Sequence, residues 1–315
     1  MYDRVIRGGL VIDGTGRAGY VADVAIADGR LAAIGRCADH DCDEIEAVGL
    51  VVAPGFIDDQ GGHAELAQTA PEALLAELPG VTTLLLNAWD ATTLQPPAQR
   101  PAPPEPPAAG PQGAPGHWPI NLAWRREPPV QWVHGPPLPA TVAAVAQVAQ
   151  EIDAPIVWRP ETSAPPPSWP ALWEALEHAN AEAMRVYWHM TDWPAADHAD
   201  TLVELLQRPY ILLGGFPPDP RDAAGPFVRS RLAPCRRWPG RVPLERLVHK
   251  LAAWPAHVYG LRERGRLAVG CVADLVLFNA DTGELAYTLV AGEPVVAEGL
   301  PTGARPGAPL LAGAR

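Results

Sequence analysis

Few residues of this 315-residue chain have both the type and the spacing to do chemistry. Asp58, Asp59, Gln60 and His63 stand together in Val52-Ala-Pro-Gly-Phe-Ile-Asp-Asp-Gln-Gly-Gly-His63. There Pro54-Gly55 makes a turn and Phe56-Ile57 is a short apolar run that must be buried. Asp59 and His63 could form an acid/base pair. Asp58 reads as a structural carboxylate accepting backbone N–H bonds in the first loop. His134 closes Val130-Gln-Trp-Val-His, and His189 lies in Tyr187-Trp-His-Met-Thr-Asp192, so His189 could pair with His134 and Asp192 in one site. The other histidines that bear on the reading, His117, His178, His198, His249 and His257, fall on loops or helix faces and read as solvated. Cys37, Cys42, Cys235 and Cys271 contain no Cys-x-x-Cys and read as free thiols, and Cys37 and Cys42 with His40 fall short of a built metal site. No Gly-x-Ser-x-Gly elbow, P-loop or dinucleotide fingerprint is present.

The elements that must position these groups alternate. Residues 2–52 read as short strands joined by glycine turns, among them Asp28-Gly29 between Val21-Ala-Asp-Val-Ala-Ile and Arg30-Leu-Ala-Ala-Ile-Gly. After His63 the chain gives a short helix from Pro71, then the apolar strand Gly80-Val-Thr-Thr-Leu-Leu-Leu-Asn. Residues 95–116 are rich in Pro, Ala and Gly and read as a long surface loop. Strands are then expected at 118–124, 130–134, 154–159, 185–191 and 210–215, with helices at 140–151, 169–183 and 198–206 between them. Repeated strand–helix alternation specifies a parallel α/β architecture. A strand that ends in a polar, glycine-rich loop is where such barrels carry their chemistry.

Composition removes several classes of function. A net charge of −12 argues against a nucleic-acid surface, which needs a basic face. No window approaches a membrane span. The N-terminus lacks the apolar run of a signal peptide, and a cytoplasmic location is expected. The 38 prolines are largely clustered, which points to irregular connections.

The frame Pro54-Gly-Phe-Ile-Asp58 resembles the first barrel strand of the amidohydrolase superfamily, Pro-Gly-Phe-Ile-Asp-x-His-x-His. Arg264-Gly-Arg-Leu-Ala-Val-Gly-Cys-Val-Ala-Asp-Leu-Val-Leu-Phe-Asn resembles that family's closing motif. The opening strands and Thr302-Gly-Ala-Arg-Pro-Gly are similar to N-acyl-D-amino-acid deacylases. The resemblance implies an amidohydrolase-type (β/α)8 TIM barrel over residues 53–259, trimmed between Arg126 and Val130 and before Tyr210. It also implies a small β-sandwich composed of residues 1–52 and 260–315.

In that family His, Cys and Asp ligands hold one or two divalent cations, commonly zinc, which activate water and polarise the scissile carbonyl. Here Gln60 and Gly62 stand in place of the two histidines, and Trp89 falls at or beside the ligating cysteine. Trp158 replaces a histidine, and Gly214-Gly215 replaces the proton-shuttling Ser-Asp. His134 is retained, while Pro136 replaces an arginine. The expectation is a metal-free, degenerate relative with no bound cofactor, with Trp89 and Trp158 filling the vacated volume beside Asp58, Asp59 and Gln60. It would bind a small acyl-amino-acid-like ligand or act as a non-catalytic subunit beside an active paralogue or within a complex. The alternative is a C–N hydrolase rebuilt around His63, His134, His189 and Asp192.

Overall fold

The computed structural model describes residues 1–38, 41–59, 64–86, 118–125, 131–135, 138–151, 156–160, 169–184, 186–190, 199–213 and 232–312. The two chain ends build one sheet. From the N-terminal side come β1 (Arg4–Val11), β2 (Tyr20–Ala27), β3 (Arg30–Gly35), β4 (Asp43–Glu46) and β5 (Val51–Pro54). From the C-terminal side come β13 (Leu275–Phe278), β14 (Leu285–Val290), β15 (Glu293–Ala297) and β16 (Leu300–Pro301). The order is β16-β15-β14-β13-β5-β1-β2-β3, and β4 shares the β5 edge of β1. The expected sandwich is one nine-stranded sheet that curls back on itself. The Leu31 N–H reaches the Cys271 carbonyl (2.9 Å) and the Ala273 N–H reaches that of Gly29 (2.9 Å). Ile6, Val24, Leu31, Leu275 and Leu289 form the core it encloses.

The middle of the chain builds most of two four-stranded parallel sheets. One holds β6 (Phe56–Asp58), β7 (Val81–Leu85) and β8 (Asn121–Arg125). The other runs β9 (Gln131–Gly135), β10 (Ile156–Pro160), β11 (Val186–Met190) and β12 (Ile211–Leu213). Alternation along each strand divides the side chains into two layers. Ile57, Leu85 and Ala123 from the first sheet meet Val157, Tyr187 and Leu212 from the second in one interior cluster. The residues between them face outward, against the amphipathic helices α3 (Pro139–Glu151), α4 (Trp169–Ala179) and α5 (Ala199–Gln207). The shorter helices are α1 (Ala64–Thr69), α2 (Leu74–Glu77), α6 (Ala233–Arg237), α7 (Leu244–Leu251) and α8 (Ala253–Val258). Ala256 and Val258 of α8, with Tyr259 and Leu261 beyond it, pack into the interior.

The C-terminal strands divide between the sheets. Strands β13 to β16 pair in the sheet of the N-terminal strands, whereas β17 (Pro309–Ala312) lies parallel to β8. The central segment thus supplies seven parallel strands, β6 to β12, and the tail an eighth. Gly307 makes this approach possible, because a Cβ there would lie 2.1 Å from the Ile120 carbonyl oxygen. No helix among the described residues is long and apolar enough to cross a membrane.

Two buried charges tie the layers together. The Asp274 carboxylate accepts from the Ala291 N–H (2.8 Å) and from Asn121 Nδ2 (3.0 Å), and it pairs with Arg264 Nε at 3.0 Å. Burial pushes its pKa up, and Arg264 and the two N–H donors pull it back. Lys250 on α7 is 2% exposed, and its Nζ donates to the carbonyls of Arg208 (2.6 Å) and Ile211 (2.9 Å) beneath β12. Burial, with the nearby Arg246 cation, brings Lys250 down to about 7. An unfolded lysine titrates near 10. The unfolded chain therefore holds more protons between those values, and stability contributed by this group rises with pH across that window. Urea denaturation from about pH 7 to about pH 10 is expected to show that rise, and Lys250→Met should flatten it. An identical slope in the variant would remove Lys250 as its source.

Candidate functional site

The candidate site lies at the C-terminal ends of the parallel strands, where Asp59 follows β6 and His189 is the fourth residue of β11. Asp59 is in phase with Ile57 and His189 with Tyr187, so both stand one step above the interior cluster. His189 Nε2 lies 3.0 Å from Asp59 Oδ1. The contact joins the two sheets across the interior and selects the Nε2-protonated tautomer. The Tyr259 hydroxyl donates to Asp59 Oδ2 at 3.0 Å from beyond α8. His189 is 0% exposed and Asp59 2%. Below them burial pushes the Tyr187 phenol up to about 12, so it stays protonated in the neutral range.

This arrangement joins residues that the sequence reading kept apart. Asp59 was expected to pair with His63, and His189 with His134 and Asp192; the structure shows Asp59 and His189 meeting each other, while His63, Asp192 and the His134 side chain lie outside the described residues. Tyr259 was not anticipated, and the only available signal was a polar hydroxyl where the surrounding Pro255-Ala-His-Val-Tyr-Gly-Leu261 run calls for an apolar residue. Asp58 is buried at the end of β6. His134 occupies β9 opposite Arg159 in the ladder with β10, but its side chain lies outside the described residues. Gln60, His63, Trp89 and Asp192 also lie outside them.

Trp158 requires a correction. It packs in the outward strand–helix layer, whereas Val157 is the β10 residue that joins the interior cluster. Trp158 stacks on Trp188 with ring centroids 5.7 Å apart, and Trp173 of α4 lies 5.3 Å from Trp188. The trio belongs to the strand–helix layer.

A hydrolytic metal needs several donor atoms converging on one point. Here both Asp59 oxygens are engaged by protein groups, and His189 Nε2 is directed at one of them. Among the described residues no group of three or more His, Cys, Asp or Glu could hold a metal ion. The described residues do not fit such a group. What the trio can do is hold two sheets and the residue after α8 together through one buried carboxylate.

This geometry can be set beside known proteins. The Amidohydrolase family matches residues 178–296. An N-acyl-D-glutamate deacylase of Alcaligenes xylosoxydans xylosoxydans is 62% identical over 39 residues, 12% of this chain and 8% of that protein. A D-aminoacylase of the same organism is 43% identical over 58 residues, 18% of this chain and 12% of that protein. The matched stretches thus span only a small part of these curated relatives. Similarity to solved structures extends over the whole chain. A zinc- and phosphonate-bound N-acyl-D-glutamate deacylase from Bordetella bronchiseptica superposes with a TM-score of 0.69 at 19% identity, covering 98% of this chain and 99% of that one. A D-aminoacylase with a binuclear metal centre gives 0.70 at 16% identity, covering 99% and 100%. A D-hydantoinase gives 0.64 at 15%, covering 98% of both chains.

Tyr259→Phe keeps the ring and removes one hydrogen bond from a buried carboxylate. It is expected to cost about 1.5–3 kcal/mol, read as a lower urea midpoint at unchanged slope. An unchanged midpoint would mean that Asp59 does not depend on Tyr259. The chain thus shares its fold with these deacylase and hydantoinase structures, and its residues 178–296 are similar to the Amidohydrolase family.

Proposed function

We propose that this chain is a non-hydrolytic, metal-free amidohydrolase relative that acts by binding. Its ligand would be a small acyl-amino-acid-like molecule at the barrel mouth, or its role that of a non-catalytic subunit beside an active paralogue. The carrying observation is the closed Asp59–His189–Tyr259 trio. The carboxylate oxygens at the strand ends are spent on protein donors, and the imidazole is wholly buried. A group so enclosed stabilises the barrel and presents no ligand set to a cation. Gln60 and Gly62, which stand where the resemblance expects two histidines, point the same way.

The test is metal analysis of protein purified without chelators, together with turnover assays on N-acyl-D-amino acids. The expected result is no stoichiometric zinc and no hydrolysis above a denatured control. Stoichiometric zinc with turnover would overturn the reading.

One observation favours the hydrolase alternative. A hydrogen-bonded carboxylate–imidazole pair at the C-terminal ends of parallel strands is the arrangement of a general base. Proton transfer by His189 would then have to pass through Nδ1. His189→Ala separates the two readings. On the binding reading it leaves a buried carboxylate short of a partner and lowers stability by about 3–5 kcal/mol, with no activity to lose. On the hydrolase reading it abolishes a measurable amidase activity in protein that remains folded.

A further inference from the structure

The edge of β8 beyond its pairing with β7 is occupied by the chain's own last strand, and the contacts that hold it differ in kind. Arg305 Nη2 pairs with Glu72 Oε2 at 3.6 Å. Gly307 fits a slot between the carbonyls of Trp118 and Ile120 that a Cβ would fill, and its N–H donates to the Trp118 carbonyl at 2.8 Å. The Ala308 N–H donates to Asn121 Oδ1 (3.2 Å), and the Ala308 carbonyl accepts from the Leu122 N–H (3.1 Å). Residues Pro309 to Ala312 then pair in parallel register with Leu122 to Arg125, and Leu310 packs against the interior cluster. A cation, a glycine and a leucine in Arg-x-Gly-x-x-Leu spacing, on an extended backbone, are therefore recognised by a carboxylate, a narrow slot and an apolar interior. These are the elements by which a sheet edge binds a strand supplied from outside.

The connection to this segment is slight. Thr302, Gly303 and Arg305 are exposed, and Gly303 has open space where a side chain would be. The last fixed point before it is Thr302, whose Oγ1 donates to the Pro294 carbonyl at 2.7 Å. We propose that the β8 edge is a docking groove for an extended Arg-x-Gly-x-x-Leu segment, and that the tail of a second copy of this chain can replace the tail bound in cis. Because β17 runs parallel to β8, the exchanged strand would form part of the barrel wall at the end where Asp59 and His189 lie, so each barrel would be completed by the other copy. This proposal does not depend on whether the trio is catalytic.

A protease recognition sequence inserted after Gly303 permits cleavage of the folded chain. A fluorescein-labelled peptide of residues 304–315 then reports exchange by anisotropy. The expected result is saturable binding of that peptide to the cleaved protein. Peptides carrying Gly307→Ala or Leu310→Asp should bind about tenfold or more weakly. Should the cleaved chain unfold, the uncut chain gives the second measurement. At high concentration it is expected to form a dimer fraction by gel filtration with light scattering, and excess free peptide should abolish that fraction. Equal binding of the three peptides would overturn the proposal, as would an uncut chain that stays monomeric and takes up no peptide.

Discussion

The Asp274 carboxylate sits where four distant parts of the chain meet, and its need for partners sets where each of them goes. It lies at the start of β13, bonded to the Ala291 N–H, paired with Arg264 and held by Asn121 from β8. Its own carbonyl accepts from the Gly55 N–H at 2.9 Å, just ahead of β6. Asn121 donates in addition to the Thr82 carbonyl (3.0 Å) and accepts from Ala308. Removing a carboxylate from water costs several kcal/mol unless such partners replace the water. The curled sheet, the first barrel strands and the tail are therefore tied together through this one group. The Asp59–His189–Tyr259 trio depends on the result, since Asp59 comes four residues after Gly55 on the short strand that this node positions.

Much of this was legible in the chain ends. Pro54-Gly-Phe-Ile-Asp58 and Ala273-Asp-Leu-Val-Leu-Phe278 carry their resemblance in contiguous residues, and they form the strands and turns expected of them. Alternating apolar positions likewise gave the parallel strands and their helices to within a few residues. Asn121 was hidden, because within Trp118-Pro-Ile-Asn-Leu-Ala-Trp124 it looks like one polar interruption of an apolar strand, and its partners lie 38 to 187 residues away. A polar residue's purpose is decided by what the fold brings near it, which local pattern does not encode.

The site was misread for a different reason. Which side of a strand faces the interior is a question of phase, and a slip of one residue exchanges the two faces. The ladder between β6 and β7 shifts register between Phe56 and Ile57, where β7 carries the extra residue Thr82, so β6 keeps its own alternation from Ile57 to Asp59. Ile57 and Asp59 then share the interior side. On β10 the family resemblance put Trp158 in the pocket, whereas the structure gives the interior to Val157. Once the phase is known, Asp59 and His189 occupy equivalent heights on strands that face each other.

The late arrival of β17 has a further consequence, in time rather than in space. Asn121 and Ala308 are 187 residues apart, so the sheet that begins with β6 is finished only by a strand far along the chain. Contacts of such separation are formed slowly, since a long loop must close before they offer any return. During synthesis the β8 edge stays open until residues 307–312 have emerged. A growing chain in that condition carries an unpaired, partly apolar edge, the feature that favours association between nascent copies.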